Sequence, residues 1–491
     1  MPEKTKTRML LADAVIVLLS YGAFYREGFA ADTLFQRMIP MSNIGGDLDQ
    51  GRYAIYLLAR VLTESGFLIT EHYRFFFFLF LAAVTAGLYM IQLIFLPFFR
   101  ERPDNGPALF AGFVSGTSLL LVNVLFTECF MFPEYYLNYS IAFSLAIGGA
   151  LCVSRGKPLP GALLIAASCL FYQTAILPAA MLITAAFVMQ AEFRLDRRLI
   201  LRVFGWNAGI LFAGFLDMLS TGWIARLGII DPEDAGKPMS ADPADTLRYL
   251  AEETGSLLKD ALGLLPGLWL PCLAVLAAAG TLVYILLRKK DLQTMAVCGL
   301  LLLEELVLCY LFPFLAGRGG FFPRIVFLFC MIPAVLFLTA FLYVPHRPRR
   351  VLAVLCGGFL LLQVLFIQFI AADRTLSNRL DLTYAGAVQE RIEAYEAETG
   401  ISVTGVATIN DPNAPNYYEC VRFHRDQINE RVLSVSPYVL LEYVNGPGIR
   451  LKHVDMDPAV QAEHFAGRDW DSFLPEEQLF FAGDTLYWVI F

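Results

Sequence analysis

The run Gly45-Gly46-Asp47-Leu48-Asp49-Gln50-Gly51-Arg52 sets two carboxylates and a guanidinium on backbone loosened by glycine. Carboxylates held at a membrane surface can act as a general base or bind a cation. The same run also reads as a solvated turn whose acids favour the start of the next helix. Both readings stand on spacing alone. Asp32 lies upstream, and Glu134 precedes Tyr135 and Tyr136. A carboxylate beside aromatic rings suits a sugar, and an aromatic belt at a membrane interface explains the tyrosines equally well. Gln173 follows Tyr172, where it can bond a substrate hydroxyl or a carbonyl freed by a helix break. Glu304 and Glu305 fall in the middle of an apolar stretch, where an ionised carboxylate is costly. Adjacent helix positions point about 100° apart, so the two cannot share one environment, and either can line a cavity or be protonated and bonded to a neighbouring helix.

The elements that carry these residues are set by hydropathy and charge. The 491-residue chain is 57% hydrophobic, with a net charge of −8. Its mean hydropathy is +0.58. That composition indicates an all-α polytopic membrane protein and leaves no basic surface for nucleic acid. Eleven spans are predicted near 9–24, 75–98, 107–126, 138–153, 159–172, 173–190, 200–220, 259–287, 294–315, 324–344 and 351–371. The block 159–190 is too long for one helix, and its polar pair Tyr172-Gln173 divides it.

Basic residues sit at every second junction. They include Lys4, Lys6 and Arg8 before the first span, Arg155 and Lys157 after the fourth, and Arg347, Arg349 and Arg350 after the tenth. Short basic loops stay in the cytoplasm, so the chain is expected in the cell membrane with a cytoplasmic N-terminus. The first span is expected to remain as an anchor, since no small-residue cleavage site follows it. A first outside loop is then predicted over 25–74. Its amphipathic helix has Ala54, Leu57, Leu58, Val61 and Leu62 on one face and Arg52, Tyr56, Arg60 and Glu64 on another. A second outside loop carries Asp231-Pro232-Glu233-Asp234. Residues 1–371 form the membrane domain, and 372–491 a small extracytoplasmic α/β domain. That domain has a helical stretch at Tyr384–Glu398 and a strand-like run at Ile401–Ile409. Tyr417, Tyr418, Trp470 and Trp488 belong to it, with core packing the expected role of its aromatics. Eight of nine cysteines lie in or beside apolar spans and act as small hydrophobes, and Cys420 is alone in the tail.

An early outside Asp followed by a Gly-Arg-aromatic element that opens a surface helix resembles the GT-C membrane glycosyltransferases. Closer still, it resembles the glucosyltransferase family that includes the type II O-antigen glucosyltransferases of bacteria. Phe132-Pro133-Glu134-Tyr135-Tyr136, Phe171-Tyr172-Gln173-Thr174 and Gly317-Arg318-Gly319-Gly320-Phe321-Phe322-Pro323-Arg324 agree in order and side over about residues 1–370. The chain departs from the family in having Ala31-Asp32 for an Asp-Asp pair and Tyr53 for a Trp.

The resemblance implies a GT-C-like fold of about 11 transmembrane helices and an inverting transfer of a hexose. By resemblance the hexose is glucose, moved from a polyprenyl-phosphate donor to a cell-surface glycan outside the membrane. Asp32 is the first choice of base, with Asp47 and Asp49 close behind. Arg324 and Arg318 would neutralise the donor phosphate, and Arg52, Glu134, Tyr135 and Gln173 would bind substrate. No cofactor is demanded, although Asp47 and Asp49 are compatible with a divalent metal. Membrane lipid is the other expected partner. Two rival classes remain, a lipid-linked glycan transporter or flippase and a polysaccharide polymerase. A transporter needs a polar pathway, and several spans carry almost no polar residues.

Overall fold

The computed structural model describes residues 3–26, 28–100, 106–229, 243–259, 272–316, 321–411, 414, 420, 428–446, 450–468 and 470–491. Arg318, the 231–234 stretch and Tyr417-Tyr418 lie outside them.

The apolar runs form helices, as their composition requires. They are α1 (Glu3–Tyr21), α2 (Ala31–Met38), α3 (Pro40–Asp49), α4 (Tyr53–Glu64), α5 (Tyr73–Arg100), α6 (Pro107–Ser118), α7 (Tyr136–Ser154) and α8 (Pro158–Cys169). Then come α9 (Ile176–Gln190), α10 (Arg197–Arg226), α11 (Pro243–Lys259), α12 (Cys272–Arg288), α13 (Leu292–Ala316), α14 (Pro323–Val326), α15 (Met331–Tyr343) and α16 (His346–Thr399). Among the described residues, eight helices are long and apolar enough to cross a membrane, against the eleven expected. Two shorter apolar helices, α8 and α12, accompany them. The expected division at Tyr172-Gln173 is present, since α8 ends at Cys169 and α9 begins at Ile176. Helices α7 and α8 pack backbone to backbone. A Cβ on Gly161 would come within 2.8 Å of the Gly149 carbonyl and 2.5 Å of Val153. Only hydrogen fits at that crossing, the usual device for close helix packing in lipid.

The span expected over 107–126 is broken. Helix α6 stops at Ser118, and the chain continues through turns into a 3₁₀ helix, Leu125–Phe130. Freed backbone groups at membrane depth must find partners within the protein. Here the Tyr21 hydroxyl donates to the Leu121 carbonyl at 2.8 Å. The Val124 amide donates to Gln363 Oε1 at 2.9 Å. The break places Glu128, which is fully buried, inside the bundle.

The first loop is more helical than its glycines suggest, because α3 runs straight through Gly45 and Gly46. In α4 the single apolar face expected is divided in two. Ile55 and Ala59 are buried against the bundle, while Leu57 and Val61 are more than 60% exposed. Arg60 and Glu64 pair on the third side at 2.7 Å. A helix with one side on protein, one apolar and open, and one charged suits the interface between lipid and water.

Helix α16 spans 54 residues without interruption, so the boundary placed at 371 is not a break in secondary structure. Its far end carries Ala385, Val388 and Ile392 into a second core with Val406, Leu433, Leu440, Leu486 and Trp488. That core holds a four-stranded sheet of β1 (Gly405–Asn410), β2 (Lys452–Val454), β3 (Leu479–Ala482) and β4 (Thr485–Ile490), in the order β2-β1-β4-β3. Strand β1 pairs in parallel with β2 and β4, and β3 is antiparallel to β4. Phe29 and Leu34 of the first loop belong to this core. Asn378 accepts from the Phe29 amide at 3.1 Å and donates to its carbonyl at 3.2 Å. Arg37 donates to the Tyr443 hydroxyl at 2.9 Å. The first loop is therefore held between the bundle and the tail domain.

Candidate functional site

Helix α2 presents two residues at its first turn. Asp32 is exposed there. Thr33 accepts from the Ala30 amide at 3.1 Å and donates its own hydroxyl to Glu134 Oε2 at 2.7 Å. Glu134 is buried, within electrostatic reach of both Asp32 and Arg374. Arg374 comes from α16 and is anchored by donating to the Met131 carbonyl at 2.6 Å. It also interacts electrostatically with Glu128. Sequence reasoning passed over Arg374, since it follows the last apolar run and reads as a tail residue.

The turn from α3 to α4 builds the next part. Gly51 has φ +79°, a conformation that favours glycine. A Cβ there would lie 2.6 Å from Thr221 Oγ1, so the turn is seated tightly on α10. Gln173 donates to the Gln50 carbonyl at 2.6 Å and to Asp217 Oδ2 at 2.9 Å. The Tyr53 hydroxyl bonds Ser220 Oγ at 2.7 Å. Gln173 thus fastens the α3–α4 turn to α10. Asp217, which needed no role by sequence, is its buried anchor.

On that turn Arg52 Nη1 donates to Asp47 Oδ1 at 3.2 Å. Its guanidinium lies over the rings of Tyr135 and Tyr172, 5.5 and 5.3 Å from their centroids. Burial pushes the Asp47 carboxyl above its ordinary range, against the downward pull of Arg52. Burial opposes the Arg52 charge, but Asp47 and the neighbouring tyrosines outweigh it, so the guanidinium is held above its ordinary value. Its Nε is buried and has no acceptor among the described residues. Asp49 is half-buried at the end of α3, two residues from Asp47. Helical geometry turns the two side chains about 200° apart. Among the described residues no group of three or more His, Cys, Asp or Glu side chains is placed to hold a metal ion.

Arg324 opens α14. Its backbone amide donates to Glu128 Oε2 at 2.8 Å, and its Nη1 lies 3.0 Å from the same oxygen. The guanidinium is sandwiched between Phe132 and Phe322, at 4.7 and 4.5 Å. Glu128 was missed because it falls just past the expected span 107–126, as a single acid among apolar neighbours in Leu125-Phe126-Thr127-Glu128-Cys129-Phe130. Its only signal in the sequence was a charge in an otherwise apolar stretch.

The rings under the two arginines are neighbours, since Phe132 beneath Arg324 lies 5.8 Å from Tyr135 beneath Arg52. Tyr139 and Tyr172 stand edge to face at 5.0 Å, and Tyr135 lies 6.0 Å from Tyr139. Both Arg52 and Arg324 interact electrostatically with Tyr139 and with Tyr172. Asp32, Asp47, Arg52, Glu134, Tyr135, Gln173 and Arg324 are thus gathered at one end of the bundle. Two cations on neighbouring aromatic rings, with carboxyl groups near them, can hold an anion and take a proton from a hydroxyl. Comparison with family models, curated proteins and solved structures finds no match to this chain, so no family is assigned to it on that ground.

Proposed function

We propose that the chain is a membrane glycosyltransferase that moves a hexose from a polyprenyl-phosphate donor to a glycan acceptor on the extracytoplasmic face. The observation that carries this reading is the placement of Arg52 and Arg324 over neighbouring aromatic rings near several carboxyl groups. A sugar phosphate needs cations for its leaving phosphate, aromatic surface for the ring and one base for the acceptor hydroxyl. Arg324 is assigned the phosphate, with Glu128 aiming it. Arg52 adds an unused buried Nε donor beside Tyr135 and Tyr172. Asp32 is assigned the base, since it is exposed at the first turn of α2, within electrostatic reach of Glu134. Glucose as the sugar, an O-antigen-like acceptor, eleven membrane crossings and an outside tail domain belong to the same proposal. They rest on the sequence motifs and on the alternation of basic loops.

The test is transfer by purified protein in detergent, from a synthetic polyprenyl-phosphate hexose. Asp32→Asn is expected to lower the rate by about 10²- to 10⁴-fold with folding unchanged. Full activity in that variant together with a dead Asp47→Asn would move the base to Asp47. No transfer by the wild-type protein from any such donor, in folded form, would end the proposal.

A further inference from the structure

Glu304 lies midway along α13, and the sequence leaves it without a partner of opposite charge. In the structure it meets α9 and α10. Its Oε1 accepts from Thr184 Oγ1 at 3.0 Å and from Asn207 Nδ2 at 2.9 Å. Asn207 also donates to Thr184 at 3.1 Å. The donors of this network are therefore used up: the threonine hydroxyl on Glu304, and the asparagine amide on Glu304 and Thr184.

The acceptors are not used up. Glu304 Oε2 and Asn207 Oδ1 are buried with no donor among the described residues. Glu305 is fully buried, and neither of its oxygens is bonded. It interacts electrostatically with Glu304, and both carboxyl groups interact with the Cys309 thiol one turn on. None of the groups that influence the pair is basic: they are Thr184, Asn207 and the two carboxyl groups themselves. Cys309 in turn is in reach of Cys330. Among the described residues, four bare oxygens with no spare N–H or O–H make a donor deficit at membrane depth, where unsatisfied polar groups are expensive.

We infer that Glu304, Asn207 and Thr184 form an intramembrane binding site for a small monovalent cation, a proton or Na⁺, with Glu305 beside it on the same helix. A proton on a carboxyl turns one bare acceptor into a donor. A sodium ion would draw on the same hard oxygens, one carboxylate supplying the balancing charge. The site is separate from the arginine and aromatic cluster and does not depend on the transfer chemistry proposed above.

A hydrophobic carbodiimide tests this, because it modifies protonated carboxyl groups in apolar surroundings. Full-length purified protein would be treated across a pH series, in Na⁺ or choline at equal ionic strength. Adducts at Glu304 or Glu305 would be read by peptide mass spectrometry. Adduct yield is expected to fall as pH rises. Protection by Na⁺ but not choline identifies sodium as the ligand, and equal yields in the two salts identify the proton alone. Equal labelling at every pH and in both salts would show permanently neutral structural groups and overturn the inference. Absence of label at every pH in folded protein would overturn it too. Asn207→Ala, which keeps both carboxyl groups, is expected to shift the Na⁺ or proton midpoint at least tenfold. An unchanged midpoint would remove Asn207 from the site.

Discussion

At the scale of single residues, the arrangement around Arg324 makes a separable prediction. Glu128 is fully buried and bonded to both the Arg324 backbone and its guanidinium. Arg324→Ala removes the cation bonded to that carboxylate and leaves Arg374 as a more distant one, so the loss is expected to stay below the about 3–5 kcal/mol of a fully stranded buried charge. Adding Glu128→Gln removes the stranded charge, so melting temperature should recover. Donor affinity should not, because the cation itself is gone. If the double variant binds donor as well as the wild type, Arg324 is only an anchor. The sequence could name Arg324 from its place at the head of a late span. It could not name Glu128, because a single acid in an apolar run gives no hint of which residue will reach it from 196 positions away.

At the scale of elements, the turn between α3 and α4 is the most exacting joint. Gly51 combines positive φ with a neighbour 2.6 Å from where a Cβ would sit. Gly51→Ala is expected to cost about 1–3 kcal/mol from backbone strain alone. Thermal unfolding of the purified variant measures this, and an unshifted transition would mean the turn relaxes freely. Much at this scale was legible beforehand. The Tyr172-Gln173 division showed because two polar residues interrupt a long apolar block. The α4 helix showed because its apolar positions recur at helical spacing. The helix through Gly45 and Gly46 did not, since glycine pairs ordinarily signal turns and only packing reverses that preference. The broken span after Ser118 was hidden for a related reason. Composition reports apolarity, and the partners that release the backbone there, Tyr21 and Gln363, are remote in sequence.

At the scale of the whole molecule, the tail domain and the first loop share one core. Phe29 and Leu34 are buried in it, and Asn378 clasps the Phe29 backbone. A chain ending at residue 371 would lose Arg374 and Asn378 and uncover both apolar side chains. Limited proteolysis should then cut within Ala31–Met38 in the shortened protein while sparing the intact one. Equal resistance in both would show that α2 needs only the bundle. Hydropathy gave no sign of this joint, because the Phe29 and Asn378 partners lie 349 residues apart.

The unbroken α16 ties bilayer mechanics to the outer parts of the protein. Fifty-four residues make a rod of about 80 Å, of which the hydrocarbon layer occupies roughly 30 Å. Helices lean to match the thickness around them. A lean of about 10° carries the far tip of such a rod sideways by roughly 14 Å. The lipid mixture is thereby a tuning screw for the clasp on Phe29. Vesicles of short-chain and long-chain phospholipid should give different distances between spin labels on α1 and on β4, and identical distances would mean that neighbouring helices hold the rod upright.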